Sequence, residues 1–455
     1  MNGDGTMVEK AYDSVNRPTG ISHYTSTSGS LIAHYGYTYD SDGNVVMQTD
    51  SDGTITSYTY DGSNQLTGEM RGSGSGSNGY TESFTYDHNE NRLTEDSNVG
   101  GTQVNSTYTY DNHDHLLTAG TKHYAYNSDG DCTSVTNGSS VTTLKYDILN
   151  RATGITLPTG VTESYTYNGN WQRVAQTNGT SSSNELYEGA SAGSPLIEDA
   201  NATYTPGLSE ERGGADYTYH ADAQGSTRGI TAGGAVTDAV LYDAFGNTIS
   251  RSGSTPTPVL YNGATGYQSD SATGLQLLGH RYYDPSIGRF LSSDPAQAGT
   301  NWYAYCDNNP LVGKDPSGLY WWFDPNSGNL YWVNPHTGKA YLKGNGYSGR
   351  PGFRNDLDDD KKDLGPIPDG DWKIIPVTEP KLGPKVFKLE PYPDTDEDGR
   401  DGFRIHGANP KHPNNSSSGC IVLDPGLRQI IQNRLDNGGG FIHVGPSLKG
   451  NELPE

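Results

Sequence analysis

The sequence predicts an all-β protein, and three observations lead there. Hydrophobic residues make up only 31% of 455 positions, while 32 tyrosines and 60 glycines are far more than an average chain carries. A Tyr-x-Tyr-Asp segment returns again and again, each time followed by a polar turn. Few aliphatics with many aromatics and turn formers suit short strands joined by tight turns better than helices.

The repeats define the elements in order. "YTYDSDGNVV" (37–46) returns as "YTYDGSNQLT" (58–67), "FTYDHNENRLT" (84–94), "YTYDNHDHLLT" (108–118), "YAYNSDGDCTSV" (124–135), "LKYDILNRATGI" (144–155) and "YTYNGNWQRV" (165–174). Alternating aromatics before the acid predict a strand, the polar residues after it a turn, and the closing residues a second strand. One hairpin cannot bury its tyrosine face alone, so consecutive hairpins are expected to stack into a continuous curved sheet. Cys132 occupies the apolar strand position that Val45 fills in another repeat, and Cys306 in "YAYCDNNP" is also expected to pack inside.

These repeats resemble the YD/RHS family, whose hairpins spiral into a hollow, cocoon-like shell. The likeness sharpens in 217–319, where "YTYHADAQGSTRGIT", "YDAFGN", "TGLQLLGHRYYDPSIGRFLSSDP" and "NWYAYCDNNPLVGKDPSGL" follow the RHS core signature. The expected organisation is therefore YD/RHS repeats over 1–216, an RHS repeat-associated core over 217–319, and a separate small β domain over 320–455, where the YD period disappears. Resemblance to the core also implies self-cleavage after "DPSGL", between Leu319 and Tyr320. The residues matching the family's cleavage machinery are Asp315, Asp294 and Arg289; two close carboxyls sharing one proton can serve as acid and base on a peptide bond. The plainer alternative is that these are turn aspartates ahead of proline.

Charge and composition exclude some functions. A net charge of −24 cannot supply the phosphate-neutralising contacts on which nucleic-acid binding depends, and no apolar run is long enough to span a membrane. "MNGDGTMVEK" carries no basic-then-apolar signal, so export would need other machinery. Three scattered cysteines do not make a disulfide framework.

The chemistry of the last domain concentrates in "FRIHGANPKHPNNSSSGCIVL" (403–423). "GFRIHG" reads as a strand ending at His406-Gly407, and "CIVL" as a second strand opening at Cys420. An imidazole beside a thiol lowers its pKa and yields the thiolate nucleophile. Gly419 allows a sharp turn that aims backbone N–H groups at an acyl oxyanion. The order His406, Gly407, Ser417, Gly419, Cys420 resembles the L,D-transpeptidase signature, and the closest likeness is to antibacterial domains delivered by type VI secretion. "GYSGRPGFRN" (346–355) and "GPIPDGDWKI" (365–374) add to it. Val422 stands where the housekeeping enzymes carry arginine. The resemblance implies an L,D-transpeptidase-like β fold acting as a cysteine enzyme on peptidoglycan stem peptides in the periplasm of a target cell. It implies neither metal nor cofactor, an immunity protein and secretion-system delivery proteins as partners, and no nucleic-acid partner. Three alternatives stand beside it: a lone buried strand cysteine, a surface or wall-binding protein without catalysis, and a nuclease toxin. His412 with His406 and Asn414 hints at a nuclease motif, but a Ser-Gly-Cys strand follows instead of the required helix. "DTDEDG" (394–399) begins like a calcium loop, yet Ile405 stands where a bidentate glutamate is needed.

Overall fold

The computed structural model describes residues 5–313 apart from 16, 26–28, 73–77, 170, 180, 190–191 and 295–300, together with 321–324, 329–333, 340–348, 370–377, 386–391, 403–406, 421–423, 428 and 440–444. Chain contacts divide it into two compact units, Met1–Ser293 with Tyr303–Ser317, and Asp294–Trp302 with Gly318–Glu455. Among the described residues the chain is nearly all strand, and no helix is long and apolar enough to cross a membrane.

The first unit opens with a meander of 17 strands, from Met7–Tyr12 to Ser181–Asn184. Each strand pairs antiparallel with its sequence neighbours; the hairpins of the repeats thus join edge to edge. An eight-stranded meander runs from Leu186–Tyr187 to Thr248–Ser252, and a four-stranded sheet from Gln268–Ser269 to Arg289–Phe290.

One repeat shows why the Tyr-x-Tyr-Asp pattern gives this fold. Strand Ile55–Tyr60 alternates, with Tyr58 buried and Thr59 exposed. Phe84, Tyr108, Tyr124, Leu144 and Tyr165 take the same inward position in later repeats. The second tyrosine reaches back instead. The hydroxyls of Tyr39, Tyr60, Tyr86, Tyr110 and Tyr167 donate to the carbonyls of Pro18, Val45, Leu66, Arg92 and Ala152 at 2.6–2.8 Å. Each accepting carbonyl lies five residues after the turn acid of the preceding repeat, so one tyrosine per repeat locks its neighbour.

The acid builds the turn. Oδ1 of Asp40, Asp61, Asp87 and Asp147 each accepts the N–H groups two and four residues on, at 2.8–3.1 Å. The third residue after the acid is left-handed: Gly43 at φ 90°, Asn64 at 64°, Asn150 at 60°. This is a type I turn closed by a bulge; glycine or asparagine takes the left-handed position at little steric cost in three of the four, and Glu90 takes it at φ 64° in the Asp87 turn.

The interior follows the same register. Five residues after the Asp or Asn that caps the turn stand the buried Val45, Leu66, Leu116, Cys132 and Ala152, so Cys132 fills the apolar slot expected of it. Its thiol is pushed up to about 12, chiefly by burial, which makes it inert. Arg92 and Arg173 occupy that slot too. Each brings its own counter-ion, Glu95 at 2.8 Å and Glu185 at 2.6 Å, and an aromatic face, since Arg92 lies 4.4 Å from the Phe84 ring centre. Arg173 also donates to the Tyr282 hydroxyl and to Gln268, tying the long meander to the four-stranded sheet. Cys306 is buried as expected, within the short 3-10 turn Cys306–Asn308.

The second unit contains a closed eight-stranded barrel of strands lying between Trp321–Asp324 and Gly440–Val444. Its core includes Val386, Phe387, Leu389, Phe403, Ile405, Ile421 and Leu423, all buried.

Candidate functional site

Two regions bear on function, one in each unit. In the first unit residues 289–293 and 303–309 bond to five of the repeat turns in succession. Asn309 Nδ2 donates to Asn44 Oδ1 at 2.8 Å. Asn308 Nδ2 donates to Gln65 Oε1 at 3.0 Å and to the Glu90 carbonyl at 2.8 Å. Arg289 spans the next pair, Nη1 donating to Asn91 Oδ1 at 2.8 Å and Nη2 to the Asp114 carbonyl at 2.7 Å. The Tyr303 hydroxyl donates to the Gly130 carbonyl, and the Leu291 carbonyl accepts the Cys132 N–H, both at 2.8 Å.

Backbone conformation accompanies these contacts. Cys306, Asp307 and Asn308 are consecutively left-handed, at φ 55°, 48° and 58°. Such a run costs on the order of 1–2 kcal/mol per residue, and the fixed contacts of Asn308 and Asn309 offset it. Arg289, one of the residues expected at the cleavage centre, is thus a buried strut between two turns, its guanidinium 4.8 Å from the Tyr110 ring centre and 5.4 Å from that of Tyr303. Asp294, described within the second unit, is buried, and its N–H donates to the Trp302 carbonyl at 3.0 Å. Asp315, Leu319 and Tyr320 lie outside the described residues.

In the barrel, strand Arg404–His406 pairs in parallel with strand Ile421–Leu423, Ile405 opposite Ile421 and His406 opposite Val422. Ile405 and Ile421 are fully buried, which fixes the register from the core side. Parallel neighbours need a crossover of a dozen residues or more, and "GANPKHPNNSSSGC" has that length. Cys420 immediately precedes Ile421 in sequence. Cys420, Gly419, Ser417 and Gly407 lie outside the described residues.

A family profile, Teneurin YD-shell, matches residues 7–311. The chain belongs to the Teneurin YD-shell family. Among curated proteins it is 30% identical over 315 residues to the tRNA3(Ser)-specific nuclease WapA of Bacillus spizizenii, a match covering 62% of this chain and 12% of WapA. It is 26% identical to double-stranded DNA deaminase toxin A of Burkholderia cenocepacia, over 66% of this chain and 22% of that protein. This YD-shell chain therefore spans less than a quarter of either relative. Among solved structures the crystal structure of TcdB2-TccC3-Cdc42 shares its fold, with a TM-score of 0.58 and 20% identity over 70% of this chain and 18% of that one.

Sequence reasoning missed the part played by Asn308 and Asn309 along the turns. Their "DNNP" string reads as a loop, and only the distant partners Asn44 and Gln65 reveal what the carboxamides do. It also missed Glu69 and Glu82, directly opposite one another on adjacent strands and both buried. Glu69 Oε1 accepts the Tyr80 hydroxyl, and Oε2 accepts the Ala244 N–H at 2.8 Å.

Proposed function

We propose that the chain is an antibacterial toxin in which the repeat unit sequesters a C-terminal cysteine enzyme that acts on peptidoglycan stem peptides. The observation that carries the enzyme reading is the parallel pairing of the strand ending at His406 with the strand beginning one residue after Cys420. A histidine at one strand end and a cysteine leading into its neighbour is an arrangement in which an imidazole can activate a thiol.

In the proposed reaction His406 takes the Cys420 proton, and Sγ attacks the carbonyl carbon of the L-configured third residue. Backbone N–H groups about Gly419 and Cys420 stabilise the oxyanion. The C–N bond to the terminal D-residue breaks, its amine leaving with the proton held by His406. Water then hydrolyses the thioester in L,D-carboxypeptidase action, or a D-amino acid amine displaces it in L,D-transpeptidase exchange. Gly407 and Ser417 complete the site. Release of the domain would follow self-cleavage between Leu319 and Tyr320 by Asp315 and Asp294 with Arg289. Domain limits at 216 and 319 belong to the same proposal, as do an immunity protein, delivery by a secretion system and action in the target periplasm. Relatives whose names carry two different activities support the view of the repeat unit as a carrier for varied toxic domains.

Those names also favour a second reading, a toxin acting on nucleic acid, against which the net charge of −24 weighs. One experiment separates the two. Purified muropeptides incubated with the self-cleaved protein should lose their terminal D-residue by mass spectrometry, and Cys420→Ala should leave them unchanged. Intact muropeptides alongside cleaved tRNA or deaminated DNA would establish the second reading instead.

A further inference from the structure

Because the repeat turns share one backbone, a turn with different side chains stands out against its siblings. Two and four residues after the capping group the other turns carry pairs such as Asp42 and Asn44, Ser63 and Gln65, or Leu149 and Arg151. The turn after Tyr110 carries two imidazoles, His113 and His115. Asp111 Oδ1 is committed to their N–H groups, at 2.8 Å from His113 and 3.1 Å from His115. Its Oδ2 faces His115 Nδ1 at 2.8 Å.

The His115 ring is held in place. It stacks on Tyr126 with centroids 4.6 Å apart and planes 13° from parallel, and meets Tyr303 edge-on. A Cβ on Gly130 would stand 3.4 Å from His115 Nε2, so the next turn covers that edge. Nδ1, turned toward Asp111, is the nitrogen left for a ligand. His113 is exposed and lies beside His115 at 5.7 Å between ring centres, able to rotate about its side-chain bonds. One ligand atom from each of the three residues falls within 4.8 Å of the others.

We propose that Asp111, His113 and His115 form a binding site for a divalent transition-metal ion of the zinc type. Two imidazoles and a carboxylate are the donors such ions prefer, whereas calcium and magnesium favour oxygen alone. With bonds of about 2.0–2.2 Å, Asp111 Oδ2 and His115 Nδ1 at their present spacing subtend roughly a right angle at the ion. The rotation of His113 supplies the third donor, and water completes the shell. The ion would take the place of the direct His115–Asp111 contact. It would brace the turn against Tyr126 and Gly130, beside the segment that bonds the turn row.

Zinc chloride titrated into the full chain, in a Cys420→Ala background that removes the candidate nucleophilic thiol, tests this by calorimetry. One zinc equivalent should bind and be lost, or weaken at least tenfold, in His113→Ala and in Asp111→Asn. The asparagine variant keeps the turn, because Asn127 and Asn168 cap their own turns through Oδ1, and metal-free melting curves should coincide. Equal zinc binding by all three proteins, or none by the parent, overturns the proposal.

Discussion

Replacing Glu82 with glutamine should make the repeat unit more stable at neutral pH and nearly leave it alone in mild acid. Glu82 and Glu69 are register partners on strands Tyr80–Tyr86 and Leu66–Arg71, 8% and 2% exposed. Opposed residues of an antiparallel pair hold their Cβ atoms about 5 Å apart, where like charges are unfavourable. Both carboxyls are pushed well above the ordinary value of 4.5, first by burial and then by neighbouring carboxylates, Asp243 foremost; Arg92 and Arg228 offset this only in part. A carboxyl with a raised folded pKa is stabilising while protonated. Its contribution is complete below 4.5 and is lost as pH rises from there toward the folded value. Between those limits the folded state holds a proton that the unfolded state has released, so stability falls by about 1.4 kcal/mol per pH unit for each such proton. Between pH 5.5 and 7.5 one retained proton amounts to roughly 3 kcal/mol. Glu82→Gln removes that proton while keeping shape and hydrogen-bonding capacity. Urea unfolding followed by far-ultraviolet circular dichroism should therefore show a shallower pH slope for the variant by about 1.4 kcal/mol per unit. His23, whose pKa burial lowers, pulls the other way below its ordinary value of 6.5, but equally in both proteins, so the difference isolates the glutamates. Identical slopes would refute the account of a proton retained on the buried Glu82.

Tyr60→Phe leaves the Val45 carbonyl without its inter-repeat donor and should cost about 1–2 kcal/mol, read as a lower urea midpoint. Gly246→Ala meets two obstacles, a φ of 95° and a Tyr261 ring whose atoms would lie 2.7–2.9 Å from the new Cβ. It should cost more than 3 kcal/mol on the scale of core overpacking and backbone strain; a melting temperature within a degree of the parent would contradict the packing described. Asp315→Asn should abolish the fragment ending at Leu319 in intact-mass spectra, since an amide cannot exchange the proton that a carboxyl pair shares. Cleavage persisting in that variant would remove the aspartates from the mechanism.

Much of the repeat unit was legible in sequence because its determinants are local. The alternation around Tyr58 and the acid at Asp61 each act within a few residues, so strand, turn and inward face follow from the order of side chains. Placing Cys132 by analogy with Val45 worked for the same reason. Arg92 and Arg173 defeat that analogy: an apolar slot accepts an arginine when Glu95 or Glu185 and an aromatic ring come with it, and nothing in the repeat itself announces the pairing. In the last domain the sequence proposed that His406 and Cys420 belong to neighbouring strands, but not that those strands run parallel, which depends on the crossover and the barrel's other members.

By itself, then, the chain order determined the β class, the hairpin period, the shape of each turn and the choice of cysteine and histidine as candidates, all matters of short-range sterics and hydrogen bonding. Tertiary structure alone decided that Asn308, Asn309 and Arg289 bond to turns about 175–265 residues earlier in the chain, that Glu69 and Glu82 meet in the interior, and that His115 is sheltered under Gly130. The contacts of Asn308, Asn309 and Arg289 join groups far apart in the chain, while Glu69 with Glu82 and His115 with Gly130 meet between neighbouring strands or turns that no single repeat encodes, because each partner's sequence is satisfied equally well by water until the fold brings the other to it.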